Sequence, residues 1–240
     1  MLPLTVPHVF DFGDDKRLVG TDLVRPEAWD ALRIETDGPF GLPADRETWE
    51  RTALEREDIV ARGRAISAWA DAQGVRRIAS YGVGGASLEF VLWRESPQRE
   101  LIVSDYTPKA VERLAALFPE ADVRRFDLLS DTPLDADLHL FHRIDTELSN
   151  RQWRELLRRF GDERILLVAT EVAGGRRLSW EVRSLLTKRD ATRAGWLRNR
   201  AAFERLWRRT HAATPLRMHD LYAWDLRPIA SSRAATATAR

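Results

Sequence analysis

Cysteine is absent from this chain of 240 residues. Without a thiol, the protein has no disulfide bond, no thiolate metal ligand and no cysteine nucleophile. The five histidines are scattered along the chain and show none of the spacings typical of metal ligands. These absences exclude thiol enzymes and give no reason to expect a metal centre.

Long apolar runs are also missing. The N-terminus carries no stretch that resembles a signal peptide, and no run reaches the length that a membrane-spanning helix needs. A cytoplasmic location without a membrane partner is therefore the expectation. The hydrophobic fraction of 44% suffices for a packed core, and the length predicts one domain, with or without a sizeable appendage.

The two ends of the chain differ in composition from its centre. Residues 1–44 contain nine prolines and glycines, which predict little regular structure beyond a turn or two. Their apolar content is nevertheless too high for a disordered tail. We expect an N-terminal extension or lid over residues 1–44, a main domain over residues 45–228 and a flexible tail over residues 229–240.

The net charge of +1 hides an uneven distribution. Residues 1–73 carry 15 acids against 9 bases, whereas residues 176–209 carry 11 bases against 3 acids, a local charge of +8. The basic region allows three interpretations: an anionic partner, a surface on which the acidic N-terminal part docks, or a solvated helix face. Charge alone does not favour nucleic acid as the partner.

The central stretch covers residues 77–105. A short apolar strand leads into a glycine-rich turn, a helix follows, and a second strand ends at Asp105. This order is typical of a nucleotide-binding half-fold, in which glycines let the backbone approach a ligand and the acid accepts hydrogen bonds from ribose hydroxyls. The turn also directs backbone N–H groups towards any anion that lies there.

Two glycine patterns partly fit the turn. A dinucleotide fingerprint would need its third glycine at position 87, where Ser87 stands. The pattern acid-x-Gly-x-Gly-x-Gly fits Gly82 and Gly84, but Ser80 replaces the acid and Ala86 the last glycine. A tight turn without any ligand remains the third alternative.

Beyond the central stretch, a helix is predicted from Pro108 to about Phe118, and three further regions are also predicted to be helical. One covers residues 45–73 with Asp45 as its N-cap, and another covers residues 151–160 with Asn150 as its cap. The third is basic and extends over residues 178–209, with an interruption near Gly195.

Short buried strands alternate with these helices over residues 122–126, 137–141 and 165–169. The alternation favours a parallel sheet covered on both faces. Residues 216–226 show strand periodicity over a long span, which fits one long strand or two short ones.

Together, these segments resemble the class I S-adenosylmethionine-dependent methyltransferases over residues 45–228. The resemblance is carried by Tyr81-Gly82-Val83-Gly84-Gly85-Ala86, Val103-Ser104-Asp105-Tyr106, Arg125-Phe126-Asp127-Leu128, Asp137 to His142 and the late alternating stretch. It implies an α/β fold with a Rossmann-like, doubly wound, seven-stranded, mostly parallel sheet whose last strand is antiparallel. It also implies methyl transfer from S-adenosylmethionine, for which a small molecule is the leading acceptor.

The resemblance further implies a cofactor site at the carboxyl ends of the strands. The glycine turn would pass against the methionine part, Asp105 would hold the ribose hydroxyls, and Tyr106 would lie against the adenosine. Asp127, after the third strand, would accept from the adenine amino group, and Leu128 would pack on the adenine ring. The residues of this implied site are Tyr81, Gly82, Val83, Gly84, Asp105, Tyr106, Asp127, Leu128, Phe141 and His142.

Catalysis has one candidate base. His142 directly follows the fourth strand, where the resemblance places it with Phe141 beside the sulfonium, and an unperturbed imidazole titrates near neutrality. Asp145, three residues on, could orient the imidazole if the loop turns back. Either residue could equally be an ordinary loop residue.

Three other functions stay open. The basic region could serve an RNA methyltransferase, and the departures at Ser80 and Ala86 could belong to a binding module that keeps the fold without the reaction. An NAD-dependent oxidoreductase is disfavoured by Ser87 and by the single half-fold with an antiparallel end.

Overall fold

The computed structural model describes residues 2–8, 26–34, 41–187 and 195–229. Much of the predicted N-terminal extension and all of the predicted tail except Ile229 lie outside the described residues. None of the helices in the described ranges is long and apolar enough to cross a membrane.

Strands and helices alternate through the main domain, as predicted. The strands are β1 (Thr5–Pro7), β2 (Arg77–Tyr81), β3 (Glu100–Asp105), β4 (Asp122–Arg125), β5 (Leu138–His142), β6 (Ile165–Val168), β7 (Trp196–Arg198), β8 (His211–Met218) and β9 (Leu221–Pro228). The helices are α1 (Pro26–Ile34), α2 (Arg46–Glu55), α3 (Glu57–Ala72), α4 (Ser87–Glu95), α5 (Pro108–Leu117), α6 (Asn150–Arg159), α7 (Gly175–Thr187) and α8 (Arg200–Trp207).

Seven strands form one sheet in the order β4-β3-β2-β5-β6-β9-β8. The strands from β4 to β6 are parallel to one another, whereas β9 is antiparallel to both β6 and β8. The predicted mostly parallel sheet with an antiparallel last strand is therefore confirmed. The strand order reverses beside β2, and open α/β sheets bind their ligands at such a reversal.

Side chains of the central strands alternate between the two faces of the sheet. Leu138 and Leu140 of β5 join an apolar cluster with residues of α3, α4 and α5. Phe141 of the same strand joins a second cluster with Trp153 of α6 and Phe203 of α8. Both faces are covered, which explains why these strands are rich in buried apolar residues.

The predicted helix over residues 45–73 is in fact two helices, α2 and α3, that meet at Arg56. Asp45 caps the first as predicted, because its Oδ1 accepts from the Thr48 N–H at 2.8 Å. Neither glycine nor proline marks the break, but Glu57 and Asp58 lie in the first turn of α3, where the helix dipole favours carboxylates. The break allows both helices to pack on α4.

Two other local predictions need correction. The cap of α6 is Ser149 rather than Asn150, because Ser149 forms a reciprocal capping box with Gln152. Within the basic region predicted as helical, residues 196–198 form β7. The alternating stretch resolves into two strands, since β8 and β9 pair along their whole length as a hairpin that turns at His219 and Asp220.

The described parts of the N-terminal extension contact the main domain in two places. Strand β1 pairs antiparallel with β7, and the Asn199 side chain accepts from the Leu4 N–H at 3.0 Å. Helix α1 packs beside α5, where the buried Asp30 carboxylate accepts from the Ala110 N–H at 3.0 Å. This second contact brings α1 to the edge of the sheet that carries the glycine turn.

Candidate functional site

The turn between β2 and α4 has a left-handed backbone at three positions. Gly82 and Gly84 have φ angles of 64° and 58°, which glycine adopts without cost. A Cβ on Gly82 would come within 2.8 Å of the Ile144 side chain, so that position also needs glycine for space. Ala86 takes the same conformation at φ 52°. The alanine therefore preserves the backbone of the pattern's last glycine, while its methyl group is buried in the core.

Contacts from two sides hold this turn in place. The indole Nε1 of Trp49, which is buried on α2, donates to the Gly85 carbonyl at 2.7 Å. On the other side the Val83 N–H donates to the Ser104 carbonyl at 3.3 Å. The turn is thus a rigid element rather than a free loop.

Asp105 is connected directly to the turn. Its Oδ2 accepts from the Gly84 N–H at 3.0 Å, and its Oδ1 accepts from the N–H and hydroxyl of Thr107 at 3.1 and 2.8 Å. Only 6% of the residue is exposed. Since an ionised carboxylate has about four lone-pair sites, Asp105 keeps acceptor capacity for a ligand hydroxyl.

A carboxyl group also lies beside Ser80, where the glycine pattern lacks its acid. Glu89, in the first turn of α4, accepts from the Ser80 hydroxyl at 2.6 Å. Burial, with a smaller contribution from the Asp105 charge, raises the pKa of Glu89 to about 7. The helix thus brings a carboxyl group to Ser80, nine residues later in the sequence than the pattern predicts.

We predict that Glu89→Gln flattens the pH dependence of stability. The folded state holds the Glu89 proton up to a pKa of about 7, whereas an exposed glutamate releases it near 4.5. The free energy of unfolding should therefore fall by about 3 kcal/mol as the pH rises through this window, and the glutamine variant should lack that fall. Urea denaturation at about pH 5 and about pH 8 measures the difference between the two proteins.

Glu47→Gln is the matched control, because Glu47 lies in the first turn of α2 but is exposed. Its stability should follow the wild-type profile. If the pH profiles of stability for the wild type and Glu89→Gln superimpose, the pKa of Glu89 is not raised in the folded protein.

A charged cluster that sequence reasoning missed lies over the glycine turn. A Cβ on Gly84 would come within 2.6 Å of the Arg33 guanidinium carbon, so Arg33 of α1 covers that residue. Burial lowers the pKa of Arg33, and the charges of Asp105 and Glu147 oppose that shift. Burial also raises the pKa of Tyr106, and the Glu147 and Asp105 charges add to this shift. Arg33 is more than seventy residues from Asp105 in sequence, and no local pattern connects them.

His142 lies at the end of β5, with its Nε2 buried. No described residue forms a hydrogen bond with that nitrogen. Burial, and then the Arg62 and Arg143 charges, hold the pKa of His142 well below 6.5. The imidazole is therefore neutral at pH 7 and has one nitrogen available to accept a proton.

Asp145 is buried and already engaged. Its Oδ1 accepts from the Thr170 N–H at 2.6 Å. Burial raises its pKa, while that hydrogen bond and the Arg198 charge act in the opposite direction. Orientation of His142 by Asp145 stays a prediction.

The rings of Tyr81 and Phe141 point into the core. The Tyr81 hydroxyl bonds to His139 Nδ1 at 2.8 Å, and the Phe141 ring packs against Trp153 and Phe160. A ligand at the strand ends could meet only the backbone of Tyr81 and Phe141. Their predicted contacts with the cofactor stay untested.

Asp127 and Leu128 follow β4, beside the end of β3. Asp127 is exposed and its Oδ1 accepts from the Leu129 N–H at 2.8 Å, which is a turn-forming bond. Leu128 is partly buried against the second core cluster, and Val83 against the first. The structure thus brings Asp105, Tyr106, Asp127 and the glycine turn to one edge of the sheet.

No family model matches this sequence, and no curated protein matches it. Solved structures do match its fold. Human N-acetylserotonin methyltransferase in complex with SAM is 19% identical, with a TM-score of 0.56 over 69% of this chain and 51% of that chain. PigF with SAH is 16% identical, with a TM-score of 0.60 over 91% and 64% of the two chains. The mitomycin 7-O-methyltransferase MmcR is 15% identical, with a TM-score of 0.56 over 90% and 76%.

This chain spans about half the length of the human enzyme. The shared part includes the sheet, because the matches cover most of this chain. The chain therefore has the fold of the class I S-adenosylmethionine-dependent methyltransferases.

Proposed function

We propose that this protein is an S-adenosylmethionine-dependent methyltransferase that acts on a small molecule. The observation that carries the proposal is the left-handed glycine turn hydrogen-bonded to a buried acid, Asp105, at the switch point of the sheet. When bound, the cofactor would supply a methyl group on a sulfonium, whose leaving group departs neutral.

The residues at this edge fit such a cofactor. The left-handed backbone at Gly82 and Gly84 shapes the turn against which the methionine part would lie, and the Ile144 side chain and the Arg33 guanidinium occupy the space beside these two glycines. Asp105 would accept from a ribose hydroxyl with its remaining lone pair, and Tyr106 would lie against the adenosine. Asp127 and Leu128 would take the adenine amino group and ring.

The chain's own residues have a limited task in the reaction. They mainly need to align donor and acceptor, and such positioning can supply about 7 kcal/mol or more of the barrier. A base is needed only where the acceptor is a hydroxyl or protonated amine that must lose a proton. We assign that task to His142, whose Nε2 is unoccupied among the described residues.

Several arginines of the basic region are engaged within the protein, which disfavours RNA as the acceptor. Arg198 is buried and donates to the carbonyl oxygens of Asp145 and Leu148. Arg177 pairs with Glu181 at 3.0 Å and Arg200 with Glu204 at 2.8 Å. The similar human and mitomycin enzymes are methyltransferases of small molecules, which also supports a small acceptor.

Thermal melts with and without ligand test the proposal. S-adenosylhomocysteine at a hundred times its dissociation constant should add about 2.7 kcal/mol to stability and raise the melting midpoint. NADH at the same concentration should leave the midpoint unchanged. A shift with NADH alone would make the oxidoreductase the better interpretation, and methyl transfer from labelled cofactor separates an enzyme from a binding module.

We further propose that the N-terminal extension acts as a lid. Its described helix α1 is attached to α5 through Asp30, and Arg33 lies on the glycine turn. Closing the site in this way would slow cofactor release. Asp30→Ala removes the carboxylate that accepts from the backbone N–H at the start of α5 and so attaches α1 there. The attachment of α1 should weaken by about 1 kcal/mol, and S-adenosylhomocysteine should dissociate about three- to tenfold faster.

Stopped-flow release of the ligand measures this rate. Glu27→Ala is the control, since Glu27 is on the same helix but exposed. Equal release rates for Asp30→Ala and the wild type would rule the lid out.

A further inference from the structure

Arg33 lies outside the motifs that carry the resemblance. Its guanidinium covers Gly84, on the side of the turn that the missing Cβ leaves open. The Trp29 ring lies 5.3 Å from the guanidinium carbon, and the Arg33 carbonyl accepts from the Leu42 N–H at 2.7 Å. Since Leu42 is buried in the core, Arg33 is held at the turn from both its side chain and its backbone.

Glu147, which carries the opposite charge, belongs to a short turn beside the glycine turn. The Ile144 side chain contacts the Gly82 position, and the Glu147 N–H donates to the Ile144 carbonyl at 3.2 Å. The short turn from Ile144 to Glu147 therefore lies directly against the glycine turn. Glu147 itself is exposed to solvent.

Arg33 and Glu147 act on each other electrostatically. The negative charge of Glu147 raises the pKa of Arg33 and so favours its cation. The positive charge of Arg33 lowers the pKa of Glu147 and so favours its anion. Desolvation followed by the Asp105 charge raises the pKa of Glu147 to about 7. The glycine turn is thus flanked by one cation and one anion of this chain.

The amino-acid end of S-adenosylmethionine is a zwitterion, with one carboxylate and one ammonium group. We propose that Arg33 binds its carboxylate and Glu147 binds its ammonium group, so that this pair selects cofactors with an intact amino-acid end. The inference rests on the proposed function and assigns two binding residues to it. Guanidinium groups match carboxylates through paired charge-assisted hydrogen bonds, and a carboxylate accepts from an ammonium in the same way.

Calorimetric titration of the full chain with three probes tests the pair. S-adenosylmethionine has both groups, its decarboxylated form keeps only the ammonium, and 5′-methylthioadenosine has neither. Arg33→Gln should weaken binding of S-adenosylmethionine by about 10- to 100-fold and change the other two by less than about threefold. Glu147→Gln should weaken binding of S-adenosylmethionine and of its decarboxylated form, and it should leave binding of 5′-methylthioadenosine unchanged. The titrations are made at about pH 8, where a carboxyl group with a pKa of about 7 is mostly ionised.

Lys109→Gln is the control, because it removes an exposed cation beside Asp30 in the same region. It should change none of the three affinities. Arg33→Lys retains the charge and should keep most of the preference for the carboxylate, and melting midpoints without ligand establish that each variant is folded.

The contrary outcomes separate the two levels of the proposal. If Arg33→Gln binds all three probes more tightly and by the same factor, Arg33 only obstructs the site, and the inference is wrong. Equal weakening of all three, or no change, is also incompatible with it. If the wild type binds none of the probes, the proposed function itself fails.

Discussion

Asp105→Ala is expected to abolish measurable binding of S-adenosylhomocysteine. Asp105 is 6% exposed as a residue and its carboxylate accepts from the Gly84 N–H and from Thr107, so its loss removes the ribose acceptor and the connection to the glycine turn together. Each unsatisfied buried donor costs about 1–3 kcal/mol, and at least three donors lose their partner. We expect the dissociation constant to rise by a hundredfold or more, measured by calorimetric titration.

Asp122→Ala is the matched control for this experiment. Asp122 begins β4, is exposed, and accepts hydrogen bonds from the side chain of its near neighbour Arg124. Its loss should leave the affinity unchanged within about twofold, since exposed pairs contribute little. If Asp105→Ala binds the ligand as tightly as Asp122→Ala does, Asp105 does not hold the ribose.

His142→Ala is expected to separate binding from turnover. Cofactor affinity should stay within a few-fold of the wild type, whereas turnover of a hydroxyl acceptor should fall by about a hundredfold or more, because a positioned base contributes that much. Burial keeps the pKa of His142 well below 6.5, so the base is already unprotonated at pH 7. Turnover of the wild type at saturating cofactor should consequently hold on acidification from pH 7 to about pH 6.5, because His142 stays unprotonated over that range.

His219→Asn supplies the comparison for this variant. His219 is an exposed histidine in the β8–β9 turn with φ 57°, a conformation that asparagine tolerates. Its turnover and pH profile should match the wild type. Undiminished turnover in His142→Ala would leave His142 as a loop residue and would point to catalysis by positioning alone.

The sheet could be predicted from the sequence because its signals are local. Each central strand is an apolar run of about the right length, and the late alternation distinguishes β8 and β9 from the fully buried strands. The break at Arg56 could not be predicted, because no residue there forbids a continuous helix. Packing of both α2 and α3 on α4 decides it, and that is a tertiary contact.

The candidate site divides along the same line. Gly82, Gly84 and Asp105 could be found from spacing alone, since they are close in sequence and follow strands. Arg33, Glu89 and Glu147 could not, because each reaches the turn from a different element. Ser80 is an example. The glycine pattern would place an acid at position 80, but the carboxyl group there belongs to Glu89 of α4.

The most direct test of the account is a crystal structure of the full chain with S-adenosylhomocysteine. We expect the ligand at the carboxyl ends of β2 and β3, with a ribose hydroxyl about 2.5–3.0 Å from an Asp105 oxygen and the amino-acid end on the Gly82–Gly84 turn. Density for the ligand elsewhere on the protein, with Asp105 free of it, would contradict the account.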